Sequence, residues 1–330
     1  MNNPQQNLYP EIEPYHSDWL TVSGNHQIYY EQGGNPDGKP VVFLHGGPGS
    51  GCNPNQRRFF DPSFYRIILF DQRGCGRSKP QGCIEENTIS HLVSDIDALR
   101  RLLNIEQWMI FGGSWGSTLA LAYAVQYPAN VTSMILRGIF LSRPHELRWF
   151  LQDVKNFFPE VWTKLVTYLP PAERSNILDA YHDRIFSDDK DVSLPAAHAW
   201  NAYESSIMSL RNSSAPTAAP ADDVQLARAR VQLHYIMQGC FVSERPLLEE
   251  VKALSHIPTI IVQGRYDMVC PPVTAWELSQ VMPHSELHMI ADAGHSAMEP
   301  GTTAALLAAT ERFKTVAAEP ASATSVNMPQ

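Results

Sequence analysis

The sequence predicts an α/β fold in which helices cover both faces of a mostly parallel sheet. Short apolar runs alternate with helical periodicity over the first 140 residues. This alternation stops near Leu141 and resumes at Thr259, and the segment between them has a helical pattern and many large aromatic side chains. One helical block inserted into one sheet explains these observations better than two sequential domains.

The first part of the chain carries most of the predicted strands, each short and bounded by turn residues. Apolar residues at helical spacing from Ile89 to Leu103 predict a helix that packs on the sheet. The other elements predicted here are a hairpin from Trp19 to Tyr30 around Ser23-Gly24-Asn25, strands at Val41 to Leu44, Arg66 to Phe70 and Trp108 to Phe111, a helix at Ser117 to Gln126 and a strand at Val131 to Ile139.

The last part of the chain is expected to complete the same sheet. Strands are predicted at Thr259 to Val262 and Glu286 to Ile290, and helices from about Val273 and over Thr302 to Phe313. We therefore divide the chain into a core of residues 1–140 and 247–317 and a helical cap of residues 141–246. The low-complexity stretch at 212–221 indicates a mobile surface loop, and the tail at 318–330 is expected to be disordered.

The composition is that of a globular protein and excludes several classes of function. Hydrophobic residues make up 44% of the chain, which is enough for a packed core. The net charge of −9 argues against a basic surface that would bind nucleic acid or an anionic membrane. The longest apolar run, Leu119 to Val125, is too short to span a bilayer. Five cysteines at unpatterned spacing and the lack of a secretory signal favour a cytoplasmic protein without a disulfide framework or a zinc site.

The run Gly112-Gly113-Ser114-Trp115-Gly116 matches the pattern G-x-S-x-G, in which a serine lies between a strand and a helix. Glycines permit the strained turn that exposes the serine hydroxyl, and the following helix N-terminus favours developing negative charge. A glycine-rich turn without chemistry has the same short pattern, but the predicted flanking strand and helix favour Ser114 as a nucleophile.

A serine hydroxyl needs a base, and the base needs a carboxylate to orient it. Asp267 follows the predicted strand at Thr259, and His295 follows the strand at Glu286, so both lie at the carboxyl edge of the sheet. The order Ser, Asp, His along the chain is the one expected of an α/β-hydrolase. His284 and His288 are rival bases, but one precedes its strand and the other lies within it, so we favour His295.

Two further glycine-rich loops follow strands in the first half. The loop His45-Gly46-Gly47-Pro48-Gly49 lets the backbone approach a ligand, so an N–H group here can join that of Trp115 in an oxyanion hole. A simple turn without a catalytic role is the alternative. The loop from Asp71 to Ser78 is interpreted as a structural turn braced by Arg73.

These segments together resemble the proline iminopeptidases, which are α/β-hydrolases with a helical cap that remove an N-terminal proline. The resemblance rests on His45 to Gly49, Asp71 to Ser78, Gly112 to Ser117, Leu136 to Phe140, Gly264 to Pro271 and Gly294-His295, and it runs from about Pro14 to Phe313. It implies that Ser114 is the nucleophile, His295 the general base and acid, and Asp267 its orienter. It also implies that Gly47 and Trp115 supply the oxyanion N–H groups.

The same resemblance implies a set of substrate contacts, namely Phe140, Phe150 and Cys270 around the proline ring, Arg137 near the substrate, and Glu204 with Gln232 at the amine. Core packing explains the aromatic residues equally well, and a surface position at a strand end explains the arginine. Glu204 lies within the apolar stripe of a predicted helix, so its carboxylate needs a partner. That partner is either the charged amine of a substrate or an arginine such as Arg228 or Arg230.

The cap departs from the family pattern at several positions. Leu151 stands where relatives commonly carry a tyrosine, Tyr203 replaces a common tryptophan, and Asp153-Val154-Lys155 replaces a run of small residues. Gln232 replaces a second amine-binding glutamate, so it can accept a hydrogen bond through its amide oxygen but brings no charge. These differences concern specificity and leave the hydrolytic residues unchanged.

The function predicted first is therefore a serine peptidase that releases N-terminal proline from peptides through an acyl-enzyme intermediate. An esterase or amidase with the same triad is a second possibility, and a non-catalytic binding protein of this fold is a third. A comparison of the activity on proline β-naphthylamide with the activity on p-nitrophenyl acetate distinguishes the first two. Labelling of Ser114 by a fluorophosphonate tests the third. No motif calls for a metal or a nicotinamide, so no cofactor is expected.

Overall fold

The computed structural model describes residues 8–210, 220–242 and 246–315, and eight strands within these ranges form one sheet. The strands are β1 (His16–Thr21), β2 (Gln27–Gly34), β3 (Lys39–Leu44), β4 (Tyr65–Phe70), β5 (Trp108–Gly113), β6 (Val131–Arg137), β7 (Thr259–Gly264) and β8 (Ser285–Ile290). Their order across the sheet is β1-β2-β4-β3-β5-β6-β7-β8. The pairs β1–β2 and β2–β4 are antiparallel and the remaining pairs are parallel, which confirms the mostly parallel sheet.

Alternate side chains of the central strands enter two separate apolar clusters, one on each face of the sheet. On β3, Val42 and Leu44 pack with helices α1 (Ile89–Leu102), α2 (Trp115–Gln126) and α9 (Pro272–Val281). Val41 and Phe43 point the other way and pack with α10 (Pro300–Arg312). Burial on both faces explains why these strands are continuous apolar runs.

The chain between β6 and β7 is helical in its described parts. The helices are α3 (Pro144–Leu151), α4 (Pro159–Thr167), α5 (Ile177–Ile185), α6 (Lys190–Ile207), α7 (Asp222–Met237) and the single turn α8 (Leu247–Glu250). Tyr181, Trp200 and Leu233 belong to a third apolar cluster built mainly from these helices. We keep the division into a core and a cap of residues 141–246 as a proposal, and this cluster supports it.

Helix α7 rests directly on loops of the sheet. The Tyr235 ring lies 4.8 Å from the Trp115 ring, and the Tyr235 hydroxyl donates to Oδ1 of Asn87 at 2.8 Å. At Gly49 the backbone has a φ of 101°, and a Cβ atom there would lie 2.6 Å from the carbonyl oxygen of Arg228. A residue with a side chain at position 49 would therefore push α7 away from the loop.

The predicted elements are confirmed with small shifts at their ends. The last helix begins at Pro300 rather than Thr302, because proline is well suited to the first turn of a helix. The strand predicted to reach Ile139 ends at Arg137, since Gly138 has a positive φ. The predicted tail at 318–330 lies outside the described residues, as does the predicted loop at 212–221 apart from residues 220 and 221. No helix in the described ranges is both long and apolar enough to cross a bilayer.

The contact between Gly49 and α7 predicts that Gly49→Ala destabilises the protein. We expect the free energy of unfolding to fall by about 1–3 kcal/mol, because the new Cβ meets Arg228 and the positive φ is unfavourable for alanine. Thermal or urea unfolding measures the change. Gly33→Ala is the matched control, since a Cβ atom there meets Ile12 at 3.4 Å without a positive φ. Equal stability of the two variants would contradict the role given to the Gly49 contact.

Candidate active site

Ser114 occupies a strained turn between β5 and α2. Its φ of 58° and ψ of −127° are unfavourable for a residue with a side chain, and its N–H donates to the carbonyl of Arg137 at 2.8 Å. Gly116 lies so close to β3 that a Cβ atom would overlap the carbonyl oxygen of Leu44. The predicted glycine-rich turn is therefore present, and it holds the serine at the carboxyl edge of the sheet.

His295 and Asp267 form a buried hydrogen-bonded pair in the loops after β8 and β7. Nδ1 of His295 lies 2.7 Å from Oδ2 of Asp267, and both side chains are almost fully buried. A carboxylate only accepts, so in the neutral imidazole this contact puts the proton on Nδ1 and makes Nε2 the acceptor. The rivals lie elsewhere: His284 precedes β8, and the half-exposed His288 faces Glu286.

The Asp267 carboxylate is held by several donors besides the histidine. Its Oδ1 accepts from the backbone N–H groups of Val269 and Cys270, at 3.0 and 2.8 Å. Its Oδ2 also accepts from Nε2 of Gln263 at 3.1 Å. Sequence reasoning missed Gln263, although a polar residue in the otherwise apolar run of β7 was a signal for it.

Ser114 and His295 lie on either side of the Arg137-Gly138 dipeptide. A Cβ atom on Gly138 would lie 2.9 Å from Cε1 of His295, while Ser114 bonds to the carbonyl of Arg137. Cys270 also lies beside the serine. Burial raises the pKa of its thiol well above the usual value, the Asp267 charge raises this pKa further, and hydrogen bonding to Ser114 opposes both effects.

The loop from His45 to Gly49 lies against the serine turn. A Cβ atom on Gly46 would lie 3.3 Å from Cβ of Ser114. Burial lowers the pKa of His45, and its Nε2 accepts from the N–H of Gln72 at 3.0 Å, which fixes the start of the loop. Neither the Gly47 N–H nor the Trp115 N–H donates to a backbone carbonyl within residues 8–210, 220–242 and 246–315.

Ser114 opens into a small and mainly apolar pocket of about 40 Å³ of free volume. Its walls come from the loop after β3, the loop after β6, the cap helices and the loop after β7. The lining residues are Gly47, Pro48, Ser114, Phe140, Glu146, Leu147, Phe150, Glu204, Gln232, Ile236, Val269 and Cys270. The pocket thus brings together all but one of the predicted substrate contacts. A larger groove of about 490 Å³ lies near Lys39, at the amino ends of the strands and away from Ser114.

Of the two partners expected for Glu204, the structure shows the arginine, while the substrate amine stays a prediction. The residue lines the pocket and is only 5% exposed. Its Oε2 accepts from Nη2 of Arg228 at 2.7 Å, whereas Arg230 donates to the carbonyl of Ile185 instead. No described residue donates to the second oxygen, Oε1, so one acceptor of this carboxylate is left for a ligand.

Gln232 accepts a hydrogen bond through its amide oxygen, and the donor in the structure is a side chain of α6. Its Oε1 accepts from Nε1 of Trp200 at 2.6 Å, and its Nε2 donates to the carbonyl of Gly47 at 3.3 Å. The side chain therefore joins α6, α7 and the loop after β3. Glu146, which sequence reasoning missed, is similarly engaged, because it accepts from Leu141, Arg143 and Thr274.

Arg137 is the predicted substrate contact that the structure does not bring into this pocket. Alternation along β6 puts its side chain on the face of Ile135, away from Leu136. There it lines a second cavity of about 190 Å³, and its Nη1 donates to the carbonyl of His295 at 2.6 Å.

Among the described residues, no group of three or more His, Cys, Asp or Glu side chains is placed to hold a metal ion.

Comparisons with known proteins agree with this geometry. A family described as the alpha/beta hydrolase fold matches residues 39–302. The proline iminopeptidase of Arabidopsis thaliana is 50% identical over 314 residues, which cover 94% of this chain and 83% of that protein. The proline iminopeptidase of Neisseria gonorrhoeae is 45% identical over 307 residues, which cover 92% and 98%.

Solved structures show the same fold at much lower sequence identity. An alpha/beta hydrolase from a Medee basin deep-sea metagenome library has a TM-score of 0.58 at 20% identity and covers 89% of this chain and 97% of its own. An esterase from Exiguobacterium antarcticum has a TM-score of 0.56 at 19% identity, with 90% and 99% covered. The chain therefore belongs to the proline iminopeptidases, a family with the alpha/beta hydrolase fold.

Proposed function

We propose that this protein releases N-terminal proline from peptides by transferring the prolyl group to Ser114 and then to water. The observation that carries the proposal is the pocket itself, because Ser114 and Glu204 line one small apolar space and no described residue donates to Oε1 of that carboxylate. The proline iminopeptidases of similar length and sequence support the reaction.

The hydrolytic step is assigned to the buried pair and the serine turn. Nε2 of His295 takes the proton of Ser114 as Oγ attacks the prolyl carbonyl, and Asp267 stabilises the resulting imidazolium. The N–H groups of Gly47 and Trp115 donate to the carbonyl oxygen as it becomes negative. His295 then returns the proton to the departing amine, and the same residues activate water to hydrolyse the ester.

Recognition of proline is assigned to the walls of the pocket. Phe140, Phe150 and Cys270 give an apolar surface for a pyrrolidine ring, and the small volume restricts larger side chains. The two N–H groups of a prolinium are donors for Oε1 of Glu204. Gln232 is uncharged, and its amide is bonded to Trp200 and Gly47. The negative charge assigned to the amine site is therefore that of Glu204.

We also propose that the protein acts in the cytoplasm on peptides with a free N-terminal proline. All five cysteines are free thiols, and three of them are buried, which suits a reducing compartment. The acidic balance of the chain gives no attraction to nucleic acid or to an anionic membrane.

The assigned roles predict that Ser114→Ala and His295→Ala each lower kcat by about 10⁴-fold or more without loss of folding. Asp267→Asn should lose somewhat less, because the aspartate orients the base and does not react. Steady-state kinetics on proline β-naphthylamide measure the losses, and circular dichroism checks the fold. His288→Ala is the control and should keep wild-type activity. Substantial activity of pure Ser114→Ala, or a larger loss in His288→Ala than in His295→Ala, would exclude this mechanism.

The assigned amine site predicts that Glu204→Gln loses about 10-fold or more in kcat/KM on free proline amides, since a charge-assisted hydrogen bond contributes about 1.5–3 kcal/mol. N-acetylated proline amides should be poor substrates of the wild type, because they lack the charged amine, and the same variant should barely change their kcat/KM.

Arg228→Met provides the comparison for this experiment, because it removes the ion pair and keeps the carboxylate in the pocket. We expect this variant to retain the preference for free over acetylated substrates. Equal losses on both substrates in Glu204→Gln would mean that Glu204 stabilises the cap and does not bind the amine.

A further inference from the structure

We propose that Arg137 is a positioning residue that fixes the serine turn and the histidine loop relative to each other, and that it does not bind the peptide. The proposal rests on the roles assigned above to Ser114 and His295. It concerns a side chain that the resemblance places near the substrate and the structure places outside the pocket.

Arg137 makes one hydrogen bond to each of these two loops, one through its backbone carbonyl and one through its guanidinium. Its backbone carbonyl accepts from the N–H of Ser114 at 2.8 Å, and its guanidinium Nη1 donates to the carbonyl of His295 at 2.6 Å. One residue at the end of β6 thus holds the nucleophile on one side and the base on the other. Because these bonds are made to backbone atoms, they set the positions of the loops.

The guanidinium also packs flat against the residue that precedes the nucleophile. A Cβ atom on Gly113 would lie 2.6 Å from Nη2 of Arg137 and 3.0 Å from its Cζ and Nε. Glycine at this position therefore makes room for the guanidinium, and the guanidinium in turn supports the last residue of β5. A positional role explains this contact, whereas a substrate-binding role has no need of it.

The charge of Arg137 acts on the same group of residues. Burial lowers the pKa of the guanidinium, and the negative charge of Asp267 opposes that effect. The Asp267 oxygens are already bonded to His295, Gln263 and two backbone N–H groups, so the arginine faces the carboxylate without a direct ion pair. The guanidinium charge and the Asp267 carboxylate therefore attract each other within the group of residues that holds the imidazole.

The surroundings of the guanidinium argue against contact with a proline substrate. Arg137 lines a separate cavity with Gly46, Gly113, Gln56 and Met298. Ser114 and Glu204 line the other space. The two spaces share no lining residue, so Arg137 is not part of the wall of the pocket.

The test compares Arg137→Met and Arg137→Lys with the wild type on a proline amide. We expect Arg137→Met to lower kcat by about 10–100-fold, because displacement of reacting groups by about 1 Å costs about that much. KM should stay within about 2-fold of the wild-type value, since no substrate contact is lost. Arg137→Lys should lose less, because it keeps the charge but cannot reproduce the planar contact with Gly113.

A second readout separates positioning from binding. A small alkyl fluorophosphonate needs Ser114 and its base but not the proline pocket, so its labelling rate should fall by the same factor as kcat. Millimolar guanidinium chloride should partly restore the activity of Arg137→Gly, and it should not restore Ser114→Ala. Arg66→Met is the control: Arg66 also donates to a backbone carbonyl, that of Leu103, but at the opposite end of the sheet, and its loss should not change kcat.

Two results would overturn the proposal. A rise in KM with unchanged kcat and an unchanged labelling rate would show that Arg137 binds the substrate. Unchanged kinetics in both variants would show that Arg137 has no role in the reaction. If Arg137→Met does not fold, the lysine variant and its labelling rate decide between these outcomes. Neither result would change the assignment of Ser114 as the nucleophile, because that assignment is tested separately by the activity of Ser114→Ala.

Discussion

The register of the parallel strands is the constraint on which the rest of the site depends. Gly113 pairs with Arg137 across β5 and β6, and Gly264 pairs with Ile290 across β7 and β8. Neighbouring strands lie about 4.8 Å apart, so their carboxyl ends form one edge from which the loops rise side by side. The serine, aspartate and histidine come from three of these loops. A slip of one residue in any pair would turn the loop away from its partners.

The cap helices add what the sheet edge lacks, which is an apolar space lined by the two buried carboxylates Glu146 and Glu204. A carboxylate such as Glu204 is costly to bury, and its ion pair with Arg228 offsets part of that cost. The partner sits on α7, the helix that also contacts Gly49 and Trp115. Charge pairing and helix docking are therefore parts of the same arrangement.

Much of this arrangement could be predicted from the sequence, because it follows from local patterns. Apolar runs located the strands, and the residues just after them supplied Ser114, Asp267 and His295. The preference for His295 over His288 needed only the rule that functional groups follow strands. The buried hydrogen bond between His295 and Asp267 agrees with that choice.

Other features could not be predicted, because they depend on which face a side chain occupies and which atoms it meets there. The resemblance placed Arg137 by its strand-end position, but pleating sends its side chain to the opposite face of the sheet. Nothing in the sequence shows that Trp200 is the residue that donates to the amide oxygen of Gln232. Gln263 lies in a strand that was interpreted only through its apolar neighbours.

The docking of α7 also limits how this architecture can be recombined. Its residues contact the loop that holds Gly47, the ring of Trp115 and the carboxylate of Glu204, so a single helix packs on the sheet loops and also lines the pocket. A cap exchanged between relatives would have to carry along the glycine-rich loops beneath it. A substitution on α7 would therefore change the packing of these loops and the shape of the pocket at the same time.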